Sequence, residues 1–351
     1  MPPSPIRVGL IGYGYAGKTF HAPLITATPG LQLACVASSD VAKVYADWPQ
    51  VDVVADAPTL IARDDIDLVV IATPNDTHAP FARAALRAGK HVVVDKPFAL
   101  DLDEARDLIA TARENDRLLS VFHNRRWDSD FLGVKQAIAD GLLGCVVHFE
   151  SHIDRFRPEV RARWREGAGP GAGLWFDLGP HLIDQALQLF GPPERVQANF
   201  ARQRTGALSD DWAHVVLDYV GGLRTILHAS MLVGGGSPRF VVHGERGSLI
   251  KRDADRQEAQ LKASIVPGTD GWGIDPDAMQ FYDGSDSAPR SIPPPNGDQR
   301  QYYIGIERAL RGLGANPVTP DEALAVMNLL ETAQRSARER RSLPVAPLTP
   351  S

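Results

Sequence analysis

The sequence predicts a two-domain α/β protein, with a doubly wound parallel sheet in residues 1–123 and an α+β domain with a mostly antiparallel sheet in residues 124–351. Three observations predict it. In the first 123 residues short apolar runs alternate with helical patterns, the signature of buried parallel strands joined by helices. After HNRRWDSD (123–130) strand-like runs follow one another mostly without helices between them, as an antiparallel sheet requires. A chain of 351 residues is also too long for one ordinary core.

The elements follow in order. Residues 6–11 (IRVGLI) run into glycines, and a helical pattern covers about Ala16 to Thr28. The next strands are 31–37 (LQLACVA), 52–56 (DVVAD), 66–73 (IDLVVIAT), 90–95 (KHVVVD) and 118–123 (LLSVFH), with HAPFARAALRAG and LDEARDLIATARENDR as helices between them. In the second domain one helix, FLGVKQAIADG, precedes strands at 146–156, 213–219, 224–232, 239–244 and 247–252. The stretch from Ala254 to Asp298 is rich in Pro, Gly and Asp, which predicts loops and hairpins. A last helix over about 320–340 opens on Pro320 and Asp321 and carries Leu324, Met327 and Leu330 on one side.

Composition narrows the function classes. Hydrophobic residues make 44% and charged residues 23% of the chain, a globular composition. A net charge of -6 leaves no basic surplus for a phosphate backbone, so no nucleic-acid partner is expected. The N-terminus lacks a charged region followed by a long apolar stretch, and no run of about 18 apolar residues occurs. A cytoplasmic protein without membrane contact is expected. Cys35 and Cys145 both stand in apolar runs and are expected to be buried, reduced thiols.

Directly after the first strand, VGLIGYGYAGKTF places Gly12, Gly14 and Gly17 in G-x-G-x-x-G spacing, with Tyr13, Tyr15 and Ala16 between them. The first glycine permits a tight turn, the second admits a diphosphate against the main chain, and the third lets helix and strand pack closely. This predicts a Rossmann domain holding a dinucleotide. An acid about 20 residues beyond the loop would bind the ribose hydroxyls of NAD. Here Ser38 and Ser39 stand in that place with Lys43 one helical turn further on, a set that suits the 2′-phosphate of NADP better than NAD. The alternative is an ordinary polar loop from which Asp40 reaches the ribose.

Ligands of doubly wound sheets sit beyond the carboxyl ends of the strands. There the sequence places Thr73, Pro74, Asn75 and His78 after one strand and Asp95 and Lys96 after the next. For His78, packing and cofactor contact stay open as alternatives. Lys96 is an ammonium at the tip of a buried strand with Pro97 behind it, and a cation in such a place points to function. In GPGAGLWFDLGPHLIDQ, Asp177 and His181 are four residues apart and share a face if a helix begins near Asp177, with Pro180 in its first turn. The competing reading is a capping aspartate and a packed histidine. Oxidation of a secondary alcohol needs a base for the hydroxyl proton, and imidazole titrates near the working pH. His181 is therefore the expected general acid/base, Lys96 the donor to developing alkoxide, and Asp177 the carboxylate that tunes them and binds a neighbouring hydroxyl.

Taken in order, GYGYAG, ATPNDTH, GKHVVVDKP and FDLGPHLIDQ resemble the Gfo/Idh/MocA oxidoreductases over essentially the whole chain. The family's Glu-Lys-Pro appears here as Asp95, Lys96 and Pro97. YGYAGKTFHAPLI, SVFHNRRWDSDFL and DRFRPEVRARWRE are most similar to the branch of NADP-dependent scyllo-inositol 2-dehydrogenases. The resemblance implies an open-faced second-domain sheet used for self-association as a homodimer or homotetramer. It also implies Lys96, Asp177 and His181 as catalytic trio and a cis Lys96–Pro97 peptide. It places Asn124 and Arg125 near nicotinamide and substrate, and brings Arg155 and Trp164 in from the second domain. Substrate contacts are thus expected from Lys96, Arg125, Arg155, Asp177 and His181, on a small cyclic polyol or sugar. The arginines of 155–165 equally fit a solvated basic face. A regulator that keeps the fold without the chemistry is the alternative function. The ten histidines show no metal-site spacing, and no metal is expected.

Overall fold

The computed structural model describes residues 4–285 and 287–348. They form two compact units. The first holds the chain through Asn124 together with Gln257–Trp272 and Asp298–Leu324, and the second holds Arg125–Arg256, Gly273–Gly297 and the chain from Ala325 onward.

The first unit is built on six strands: β1 (Ile6–Ile11), β2 (Leu31–Ala37), β3 (Asp52–Val54), β4 (Leu68–Ile71), β5 (His91–Val94) and β6 (Leu119–Val121). All neighbours pair parallel in the order β3-β2-β1-β4-β5-β6, as expected for a doubly wound sheet. Branched residues dominate because both faces are covered: Val69, Val70, Val92, Val93 and Val94 are wholly buried. A π-helical turn, Gly17–His21, runs into α1 (Ala22–Thr26), and the other connections are α2 (Val41–Asp47), α3 (Ala57–Ile61), α4 (His78–Arg87) and α5 (Leu102–Glu114).

The first unit also takes in two later segments, Gln257–Trp272 and Asp298–Leu324. The later segments return because the first unit needs them to close its core. The Tyr303 hydroxyl meets His21 Nδ1 at 2.6 Å, and Tyr302 stacks edge-on against Phe122 while its hydroxyl donates to Ser120 at 2.9 Å. Burying three aromatic side chains is worth several kcal/mol, roughly 1.5–3 each.

In the second unit α6 (Ser129–Ala139) leads to β7 (Val146–Asp154), and α7 (Leu174–Phe190) precedes β8 (Arg195–Ala201), β9 (Trp212–Asp218), β10 (Arg224–Ser230), β11 (Phe240–Gly244) and β12 (Gly247–Lys251). With β13 (Met279–Tyr282), β14 (Arg290–Ile292) and β15 (Leu343–Pro344) the order is β14-β13-β12-β11-β7-β10-β9-β8-β15, antiparallel except for the β7–β10 pair. Strand alternation decides the faces: Phe149 and Ser151 are buried, whereas His148, Glu150, His152 and Asp154 turn to the other side. Helix α7 packs on β7, β9 and β10.

Three local features add to or correct the expectation. Strand β8 escapes a search for apolar runs because RVQANFA buries only alternate residues. The stretch expected to be dominated by loops and hairpins also contains the short helix α8 (Gln257–Lys262). Cys145 is exposed, because it sits where the chain leaves the turn at Gly141–Gly144, whereas Cys35 is buried on β2 as expected. The remaining helices are α9 (Arg300–Leu310) and α10 (Pro320–Glu339), whose Leu324, Met327 and Leu330 are buried. Among the described residues no helix is long and apolar enough to cross a membrane.

Candidate active site

In the first unit β1 ends in the glycine loop. Gly12 adopts φ +94°, and a Cβ there would meet the Ala72 carbonyl at 2.6 Å, so both conformation and space require glycine. A Cβ on Gly17 would stand 2.0 Å from the Gly12 carbonyl oxygen, which is how closely helix and strand approach. Around Gly14 the opposite holds: no atom lies within 4 Å of a Cβ. That free space over main-chain amides is what a diphosphate needs, so the loop fits a bound dinucleotide.

At the end of β2, Lys43 reaches back to the loop and its Nζ donates to the Tyr13 carbonyl at 2.9 Å. Ser38 is half-buried and Ser39 exposed beside it. Asp40 caps α2, its Oδ1 accepting from the Lys43 N–H at 3.0 Å. The Tyr13 side chain is buried and donates to Asp47 at 2.8 Å, while Tyr15 is exposed and donates to Glu258 at 2.6 Å. Burial and the Asp47 carboxylate both push the Tyr13 hydroxyl well above its usual range, so it stays a neutral donor.

Beyond β4 and β5 the strand ends are tied together. His78 is fully buried, with Nδ1 at 2.8 Å from the Pro97 carbonyl and Nε2 at 3.0 Å from that of Thr73. Of the two alternatives left open for it these contacts fit packing, since it joins the loops at Thr73 and Pro97. Thr73 is half-buried, Pro74 exposed and Asn75 buried in the short turn Asn75–Thr77. The Lys96–Pro97 peptide is cis. Asp95 is buried and accepts from the Lys96 N–H at 2.8 Å. Burial alone would raise its pKa, but His21, whose Nε2 lies 3.9 Å away, and then Lys96 bring it down to about 2. Lys96 is half-buried at the tip of β5 above this anion.

In the second unit α7 starts at Leu174, three residues earlier than expected, and Pro180 lies inside it. The cap comes from elsewhere in the chain: the Asp210 side chain accepts from the Trp175 N–H at 2.7 Å and its carbonyl from the Leu174 N–H at 2.8 Å. Gly173, at φ +105°, leaves room for it, since a Cβ there would meet Asp210 Oδ1 at 2.2 Å. Asp177 is thus not the cap. It sits in the first turn, on the same face as buried His181, with Arg165 Nε 3.4 Å from its carboxylate. Arg165 in turn lies 4.3 Å over the Trp164 ring. Arg155 directly follows β7 and is held there by main-chain bonding to Ser230 and Val233. Asn124 is buried at the end of the first unit and Arg125 pairs with buried Asp128 at 3.0 Å.

Sequence reading missed the group that seats α7. Arg126 grips Asp184 with both nitrogens, at 2.7 and 3.0 Å, and Gln185 donates to the Arg125 carbonyl at 3.1 Å while accepting from Arg239 at 2.6 Å. The one available signal was a pair of polar residues, Asp184 and Gln185, inside the apolar run LIDQAL.

A doubly wound sheet with this glycine loop defines the class, an oxidoreductase with an NAD-binding Rossmann domain. The chain belongs to the Gfo/Idh/MocA oxidoreductase family: residues 6–123 match the family's NAD-binding Rossmann fold and residues 135–346 its C-terminal alpha/beta domain. It is 52% identical over 343 residues to YdgJ, an uncharacterized oxidoreductase of Escherichia coli, covering 97% of this chain and 99% of that one. It is 39% identical over 344 residues to the scyllo-inositol 2-dehydrogenase (NADP(+)) IolW of Bacillus subtilis, covering 96% of this chain and 95% of IolW. A crystal structure from Klebsiella pneumoniae, described as an oxidoreductase, superposes with a TM-score of 0.92 at 59% identity, covering 98% of this chain and 96% of that one.

Proposed function

We propose that the protein is an NADP-dependent dehydrogenase of a cyclic polyol or sugar, with scyllo-inositol as the first substrate to test. The observation that carries the catalytic reading is the Asp177–His181 pair, which shares one face of α7 although Asp210, not Asp177, does the capping. A carboxylate relieved of the cap and one turn from an imidazole suits proton handling. Preference for NADP is supported by Ser38, Ser39 and Lys43 at the end of β2, where Asp40 is engaged by the α2 N-terminus. The NADP-dependent activity named for the B. subtilis relative supports both cofactor and substrate class.

Bound nicotinamide would exchange a hydride with the substrate carbon. In this reading His181 holds the hydroxyl proton and Asp177 accepts from a neighbouring hydroxyl, while the role of Lys96 is to donate to developing alkoxide. The glycine loop holds the diphosphate, and Ser38, Ser39 and Lys43 the 2′-phosphate. Self-association as a dimer or tetramer belongs to the same reading, supported by exposed Val147, Phe156 and Leu232 on or beside the second-unit sheet. Initial rates for scyllo-inositol, myo-inositol and common aldoses, each with NAD and NADP, test the proposal. Turnover with NADP on a cyclic polyol is expected. Cofactor binding without turnover on any substrate, unaltered in His181→Ala, would instead assign a regulator.

A further inference from the structure

We propose that His152, Asp154 and His228 bind a divalent transition-metal ion, Zn2+ foremost, on the open face of the second-unit sheet. The sheet register assembles the group. His152 on β7 pairs directly with His228 on β10, and His228 pairs with His214 on β9, so three imidazoles form a row across three strands. Asp154 follows His152 by two residues and therefore turns to the same face. This is the side of β7 opposite buried Phe149 and Ser151. One ligand atom from each of His152, Asp154 and His228 lies within 4.8 Å of the other two.

The carboxylate needs a cation. The Asp154 side chain is 3% exposed, and neither of its oxygens has a hydrogen-bond partner. A buried ionised group without partners is costly enough to demand an explanation. The Ser237 side chain lies near it, and two ring nitrogens face it, His152 Nδ1 3.7 Å from Oδ2 and His228 Nε2 3.7 Å from Oδ1, both beyond hydrogen-bond reach.

The other edges of the rings allow the tautomers that a metal ion needs. His152 Nε2 lies 2.8 Å from Glu150 Oε2, so it carries the proton and leaves a lone pair on Nδ1. His228 Nδ1 lies 3.4 Å from His214 Nδ1, and in the tautomer in which His228 donates there its lone pair is left on Nε2. Three electron-rich atoms then point at one another. A histidine whose far nitrogen donates to a carboxylate while its near nitrogen faces an ion is the usual arrangement of metal sites.

Two imidazoles and one carboxylate are the donor set of zinc-type ions rather than of calcium or magnesium. Ligands about 2.0–2.2 Å from such an ion stand roughly 3.3–3.6 Å apart, so the set, now within 4.8 Å, must draw together as the ion binds. The ion would cross-link β7 and β10, the parallel pair of this sheet. The competing occupant is a proton on His152: burial opposes the imidazolium, but Asp154 and Glu150 outweigh burial and raise its pKa.

The test uses the untagged full-length chain, stripped with a chelator and dialysed against Zn2+ or Co2+. Retention of about one ion per chain is expected, with a raised thermal midpoint and visible absorption bands from bound Co2+. Asp154→Asn and His228→Gln should each weaken binding by more than about tenfold, whereas His243→Asn, on the same face, should leave it unchanged. Should Asp154→Asn fail to fold, His228→Gln decides alone. The proposal is overturned if wild type retains no ion, if these variants bind as wild type does, or if zinc leaves the His152 imidazole resonances unmoved.

Discussion

The Lys43 ammonium donates to the main-chain carbonyl of Tyr13 at 2.9 Å, which ties the start of α2 to the glycine loop. One cation thereby stiffens the loop and stands where a 2′-phosphate is expected. Lys43→Ala should raise the KM for NADP by about tenfold, the loss of one hydrogen bond to a charged group, and change that for NAD much less. Ser38→Asp should move preference further toward NAD. Steady-state rates with both cofactors check this, and equal losses for the two would refute a phosphate-reading role.

The glycine loop separates fold from binding. Gly17→Ala drives a methyl group into the Gly12 carbonyl and should abolish soluble, cooperative folding. Gly14→Ala enters open space, so its thermal midpoint should match wild type while NADPH binds about tenfold or more weakly. Fluorescence titration beside thermal melts resolves the two variants.

Removal of the proposed proton carrier, His181→Ala, should lower kcat by roughly 10²–10⁴-fold and leave NADPH affinity within about twofold. Lys96→Ala should cost a comparable factor, with the loss concentrated in kcat. A rise in KM alone would mean that these side chains only bind.

Asp95 makes stability depend on pH at the acid end. Its folded-state pKa of about 2 lies below the ordinary 3.8, so the stabilisation is present above pH 3.8 and lost as pH falls toward 2. Asp95→Asn should therefore destabilise the chain by roughly 2 kcal/mol at neutral pH, with the difference from wild type shrinking to nothing near pH 2. Urea melts across that range measure it.

Breaking the Arg126–Asp184 pair leaves a buried guanidinium unmatched. Asp184→Ala should cost about 3–5 kcal/mol, and the joint replacement Arg126→Met with Asp184→Leu should recover much of it. Chemical denaturation of single and double variants gives the coupling directly.

The sequence by itself determined the doubly wound sheet, because buried parallel strands read as mostly apolar runs alternating with helices, as β1, β2, β4 and β5 do, while β3 is short and only half-buried. It also determined the glycine loop and the i, i+4 spacing of Asp177 and His181, since both are local patterns whose geometry follows from a few consecutive residues. Only the tertiary structure decided what depends on residues far apart in the chain. It assigned the α7 cap to Asp210, gave Arg126 and Arg239 to the seating of that helix, returned Tyr302 and Tyr303 to the first core, and set His152 opposite His228. Such pairings come from strand register and buried charge matching, and no period within one segment encodes where a distant partner will stand.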